Sequence, residues 1–249
     1  MVSDGRRAGL IDWSHMTDRT RSSRRAATWG SASDIIEASA RQFRRDPWLE
    51  SSQVARPRVW VEKEALVDVV ARAADEYLVP YFACRGYVSD SEMEAVGRQV
   101  AREVKDGLEP VVIHLGDHDP SGIDMTHDIE NRLRLFSGHD VEVQRIALNM
   151  DQVLAIGPPP NPAKTTDSRY GSYIARYGHE SWELDAIDPD ALVQLVRDAV
   201  GARIDDWDAW ERVFDQDRDT RSRMRDVARR WDDLCCRWHD VDGMLDTAA

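Results

Sequence analysis

Cysteine is scarce. The 249-residue chain has three, Cys84, Cys235 and Cys236. An odd number with two neighbours excludes a regular disulfide framework, and no CxxC or Cys/His spacing suits zinc. Free buried thiols are the expectation. Long apolar runs are absent as well: none approaches the roughly 20 residues needed to cross a bilayer. The first residues, MVSDGRRAGLIDW, lack an apolar signal core. These absences predict a soluble, cytosolic protein with no membrane partner. A positive balance is also lacking. The formal net charge of −13 argues against coating nucleic acid by bulk electrostatics.

What is there is unevenly spread. Residues 1–60 hold 11 Arg and 7 Asp or Glu, a local +4, which leaves −17 for the rest. Arg6, Arg7, Arg19, Arg21, Arg24, Arg25, Arg41, Arg44, Arg45, Arg56 and Arg58 can touch phosphates. The Arg19–Arg25 stretch reads equally as a solvated arm. The apolar share of 42% is enough to bury a core.

Residues 31–46 have helical spacing, with Ser31 or Ser33 as cap and Ile35, Ile36, Ala40 and Phe43 on one face. From residue 58 strands and helices alternate. Strands are predicted at Arg58–Glu62, Val79–Cys84, Val111–Leu115 and Val141–Ala147. Helices are predicted at Glu64–Tyr77, Asp90–Val104 and Ser121–Leu135. That order implies a four-stranded parallel sheet joined by right-handed crossovers, with both faces covered. The fold class is therefore α/β and Rossmann-like, with flanking helices. Residues 1–55 read as a basic arm and helix, 56–150 as the core domain, 151–200 as a loop and helix completing it, and 201–249 as a helical extension. Residues 156–172 form a Gly/Pro-rich loop. In the extension, Trp207, Trp210 and Phe214 share one helical face, and Val227, Trp231, Leu234 and Trp238 another. Packing on the core or in a homodimer is the plain reading, and a base-stacking platform the sharper one.

In parallel sheets ligands bind beyond the carboxyl ends of the strands. There the chain places Glu62 after strand one, Gly86 after strand two, and Asp117 and Asp119 after strand three, with Asp124 in the following helix. Three carboxylates at one edge repel one another unless a cation sits between them. Hard oxygen ligands suit Mg2+ or Mn2+ rather than zinc. Such a centre suits phosphoryl transfer, and a carboxylate not bound to metal, Glu62 first, can act as general acid or base. His118 either assists proton transfer or meets a phosphate, or is an exposed loop histidine. Asp124 is a second-metal ligand or a structural helix residue.

This arrangement, with the wording GDHDPSGID, resembles the Toprim domain of topoisomerases, bacterial primases and several nuclease families. The likeness covers roughly residues 56–150. It is nearest the branch holding the A subunits of type IIB topoisomerases and the meiotic double-strand-break proteins. The resemblance implies that Glu62, Asp117 and Asp119 are catalytic and metal-binding, with Gly86 as the turn glycine. The stretch Trp182–Ile187 also looks like the acidic-apolar segment that follows Toprim in that branch. Lys63, Arg85, Gly86, His118, Ser121, Lys164 and Arg169 are the candidates for touching substrate.

One departure matters. Type IIB topoisomerases cut with a tyrosine upstream of Toprim, and this chain has none before Tyr77. The first 55 residues are also short for a full winged-helix domain. Water becomes the expected attacker, and metal-dependent hydrolysis of DNA, single-stranded or branched, the expected reaction. The alternatives are a non-catalytic nucleic-acid-binding module, a topoisomerase-like cleavage subunit and a small-molecule phosphohydrolase.

Overall fold

The structure, a computed structural model, describes residues 26–235 and Ala8. The six arginines from Arg6 to Arg25, and Cys236 and Trp238, lie outside the described residues. Among the described residues two compact units emerge, one holding residues 26–42 with 220–235 and one of residues 43–219. In the first, helix α1 (Ala32–Gln42) starts where Ser31 Oγ accepts from the Asp34 N–H, and Ser33 Oγ donates to the Ala228 carbonyl.

The second unit is an α/β layer structure. Its strands are β1 (Ala55–Val61), β2 (Tyr81–Ala83), β3 (Glu109–Leu115) and β4 (Glu142–Ala147), all parallel in the order β2-β1-β3-β4. The expected sheet is therefore present. Strand β1 begins three residues earlier than the sequence suggests, because Ala55–Pro57 pair with Glu109–Val111. Strand β2 is shorter than expected: Pro80 has no N–H to donate, and Leu78 before it takes φ +52°. Pro80 still contributes its carbonyl, which accepts from Val59.

Helices cover both faces. Helix α2 (Pro47–Glu50) precedes the sheet. After β1 comes a 3-10 turn at Glu64–Leu66 and then α3 (Val67–Ala74). It packs with α8 (Pro189–Gly201) on one face, where Val59, Val61, Val70, Ala73, Ile113, Leu192 and Val196 are buried. On the other face α4 (Asp90–Lys105) and α5 (Pro120–Ser137) cover Trp60, Met93, Val112, Met125, Ile129 and Leu133. Each such large apolar side chain adds roughly 2 kcal/mol of burial. Gly97 lets α4 and α5 approach: a Cβ there would stand 2.6 Å from Phe136 Cβ. Ser89 caps α4 through the Glu92 N–H, and the left-handed Gly138 ends α5.

The Gly/Pro-rich stretch after α6 (Met150–Ile156) is not a bare connector. Asn161–Pro162 (β5) pairs antiparallel with Glu180–Ser181 (β6), and Tyr170–Tyr177 forms α7 between them. Helix α9 (Trp207–Arg229) carries the tryptophan-rich face. Trp210 is buried edge-on against Trp48, ring centroids 4.8 Å apart, whereas Trp207 and Val227 are exposed. Two of the arginines expected to reach phosphates are engaged within the fold. Arg58 Nη2 donates to both Glu103 oxygens, at 2.8 and 2.9 Å, and Arg45 holds the buried Asp217. Their charge is already matched, which removes them as free phosphate contacts.

Candidate carboxylate centre at the strand ends

The β1–β3 register pairs Val61 with Leu115. Glu62 and the segment Gly116–Asp119 therefore leave the sheet side by side. The Glu62 N–H donates to the Leu115 carbonyl, which fixes where its side chain starts. Each of the three carboxylates is then pinned by one backbone N–H. Glu62 Oε2 accepts from Asp117 at 2.8 Å, Asp117 Oδ1 from Leu184 at 2.7 Å, and Asp119 Oδ1 from Gly122 at 2.6 Å. The last bond is the N-cap of α5, and Ser121 Oγ donates to the same oxygen. Among the described residues no protein donor reaches Glu62 Oε1, Asp117 Oδ2 or Asp119 Oδ2, and no cation pairs with Glu62 or Asp119.

The charges feel one another. Burial, then the neighbouring Asp117 and Asp119, push the Glu62 carboxyl up to about 7, against the Asp117 hydrogen bond and Arg145. Burial also raises Asp117, opposed by the Leu184 N–H and Lys63. Lys63 Nζ lies 3.3 Å from Asp117 Oδ1, 2.9 Å from Glu183 and 3.3 Å from Asp185. It thus meets the oxygen that Leu184 already pins, not the open one. Burial would lower the lysine, but its three carboxylate partners more than reverse this and hold it above its ordinary value.

Two residues that the sequence reading passed over build the frame. Arg145, near the end of β4, donates to the carbonyls of Gly116 (2.8 Å), Asp117 (2.6 Å), Gly122 (2.9 Å) and Leu148 (3.2 Å) and to Thr126 Oγ1 (3.0 Å). Its fork holds the loop after β3 in one shape. Burial lowers it to about 10 despite the facing Glu62, Asp117 and Asp119. Gly122 permits the closest approach: a Cβ there would stand 2.2 Å from the Asp117 carbonyl oxygen and 3.1 Å from Glu62 Oε2. A charged residue late in an apolar strand and a glycine three residues after the second aspartate were the available signals.

The other expected residues divide. Gly86, φ +91°, makes the turn after β2 behind Arg85, φ +54°. The exposed Arg85 pairs with Glu64 at 2.5 Å. Asp124 Oδ2 accepts from Tyr87 (2.7 Å) and Arg169 (2.6 Å), so that oxygen is held by a side-chain clamp. Arg169 also reaches Asp167 and stacks over the Tyr87 ring at 5.0 Å. Lys164 is exposed in the loop before α7. His118 corrects one of its two readings: it is not an exposed loop histidine. It is 1% exposed, its ring set among Tyr173, Tyr177 and Trp182, with Nδ1 2.8 Å from the Tyr173 hydroxyl. Its backbone bridges Trp182, so the chain from α7 onward closes over it. Burial, and then Arg145, lower its pKa and keep it neutral.

The donor set fits a hard cation by chemistry, being three oxygens on pinned carboxylates of like charge. Among the described residues no three His, Cys, Asp or Glu side chains form a ready-made cage, so binding requires the open oxygens to turn inward. Compared with family models, curated proteins and solved structures, the chain gives no match.

Proposed function

We propose that the chain is a Toprim-type nuclease that hydrolyses DNA phosphodiester bonds with Mg2+ or Mn2+ at Glu62, Asp117 and Asp119. The observation that carries this reading is the shared pinning: three carboxylates from two adjacent strand ends, each held by one backbone N–H and each keeping one open oxygen. Preorganised carboxylates of like sign raise their own free energy unless they work on a cation or a proton. A divalent ion held there would polarise the phosphodiester and offset the charge on its oxygens.

The protein's own groups have distinct parts. Asp117 and Asp119 offer the open Oδ2 atoms as the ion's ligands. Glu62, with its carboxyl near 7, is poised to take a proton from an attacking water at Oε1. Arg145 keeps the Gly116–Asp117 backbone from shifting as charge develops. Water rather than tyrosine is the attacker. The Tyr87 hydroxyl donates to Asp124 and the Tyr173 hydroxyl to the His118 and Glu180 carbonyls; both phenols are held above their ordinary range, by burial first. The acidic body favours single-stranded or branched DNA over long duplex at physiological salt.

The test is cleavage of end-labelled single-stranded, duplex and flapped DNA across a Mg2+ and Mn2+ series. The wild-type chain cuts, EDTA stops it, and Asp119→Asn loses at least about 100-fold. A wild-type protein that cuts no DNA in any metal contradicts the proposal.

A further inference from the structure

The β1–β3–β4 register sets Trp60, His114 and Arg145 side by side in one row, on the face that α5 covers. His114 is 0% exposed. Its Nδ1 lies 2.9 Å from Thr126 Oγ1 on α5, and Arg145 Nη1 donates to that same oxygen at 3.0 Å. Its Nε2 is buried and has no partner among the described residues. The ring also borders the carboxylate loop. A Cβ added to Gly116 would stand 3.0 Å from His114 Cε1, from Arg145 Nη1 and from Glu62 Oε2. Burial, then Arg145, lower the imidazole to about 3 and keep it neutral.

We infer that His114 is a positioning residue for the carboxylate centre: through Thr126 it fixes the Arg145 fork that holds the loop after β3. What the loop then does rests on the nuclease reading. A β3 position facing the α4–α5 layer ordinarily takes an aliphatic side chain, as Val112 does two residues earlier. Histidine there strands Nε2, at a desolvation cost with nothing gained from that nitrogen. What the ring supplies is Nδ1. A helical threonine divides between rotamers, because its hydroxyl can turn back to a carbonyl three or four residues earlier. Nδ1 gives the Thr126 hydroxyl a fixed partner on the sheet instead. Arg145 can only donate, and Thr126 Oγ1 is the one side-chain acceptor of its fork. The other acceptors are the carbonyls of Gly116, Asp117, Gly122 and Leu148. Where Oγ1 sits therefore sets where the guanidinium sits, and with it the carbonyls that carry Asp117 and Gly122.

The experiment reads the fork and the centre separately, in the full chain. Asparagine puts an amide atom where Nδ1 stands, glutamine puts one where Nε2 stands, and leucine supplies neither. With isotope-labelled arginine and EDTA, NMR of the wild type shows separate Arg145 Nη hydrogens, because a fork bonded at both ends turns slowly; Arg145→Lys assigns them. His114→Asn keeps them separate, whereas His114→Gln, His114→Leu and Thr126→Val merge them. Mn2+ affinity by calorimetry follows the same order: His114→Asn keeps it, and the other three weaken it by at least about 10-fold. Joining His114→Leu to Thr126→Val weakens it no further than Thr126→Val alone, because both cut one chain of contacts. A ring needed only to fill space treats the two amides alike. Equal signals and equal Mn2+ affinity in the Asn and Gln variants therefore overturn the inference, as does a Leu variant whose Arg145 signals stay separate. The two readings fail separately. A wild type that binds no Mn2+ and cuts no DNA sinks the nuclease reading, while the Arg145 signals in EDTA still decide the role of His114. One that cuts DNA while His114→Leu keeps its Arg145 signals and Mn2+ affinity sinks the role of His114 alone.

Discussion

Replacing Glu62 with glutamine should make the metal-free protein more stable, but only above mildly acidic pH. The glutamine keeps an oxygen for the Asp117 N–H and drops the charge. In the folded chain the Glu62 carboxyl titrates at about 7 rather than 4.5, first because it is buried and next because Asp117 and Asp119 face it. A raised acid means that the folded state holds the proton more tightly than the unfolded one. The protonated carboxyl's contribution is complete below about 4.5 and is lost as pH rises through about 7. That interval corresponds to about 3 kcal/mol at full linkage. Urea unfolding in EDTA at pH 4.5, 6 and 8 reads it directly. Glu62→Gln and wild type should be nearly equal at pH 4.5, and the variant about 3 kcal/mol more stable at pH 8. Adding Mn2+ should narrow the gap, because the ion offsets the like-charge repulsion that only the wild-type Glu62 carboxylate suffers. A gap that does not change with pH, or a variant less stable at pH 8, would refute the reasoning that burial and like charge strain this carboxylate.

Two further substitutions probe the frame. Gly122→Ala places a methyl group 2.2 Å from the Asp117 carbonyl oxygen, so the start of α5 must move. We expect about 2 kcal/mol lost in urea unfolding and at least about 10-fold weaker Mn2+ binding by calorimetry. Arg145→Lys keeps the charge but loses the fork that serves four carbonyls. With each orphaned acceptor costing about 1 kcal/mol, stability should fall by on the order of 3 kcal/mol and cleavage with it, and unchanged urea midpoints would contradict its role.

The sheet was legible because parallel strands write themselves as short apolar runs, VWV and VVIHL, with stretches of helical spacing between them. Glu62, Asp117 and Asp119 were legible by position, since whatever follows a parallel strand stands at the ligand-binding edge. The rest depended on partners far away in sequence. Glu183 and Asp185 draw in Lys63 from about 120 residues off, and Leu184 between them pins Asp117. His118, beside two aspartates, read evenly as a proton-transfer or phosphate contact and as an exposed loop histidine. The rings that bury it belong to Tyr173, Tyr177 and Trp182, more than 50 residues further along the chain. Arg58 and Arg45 read as phosphate contacts, yet Glu103 and Asp217 claim them. Local pattern marks where a charge begins, and only tertiary packing decides what it faces.

The most direct measurement is an anomalous difference map from crystals soaked in Mn2+. The account predicts a peak within coordination distance, about 2.0–2.3 Å, of Asp117 Oδ2 and Asp119 Oδ2 and beside Glu62, absent from Asp119→Asn crystals. Crystals at millimolar Mn2+ with no peak there, and with Lys63 instead closing onto Asp119, would contradict it.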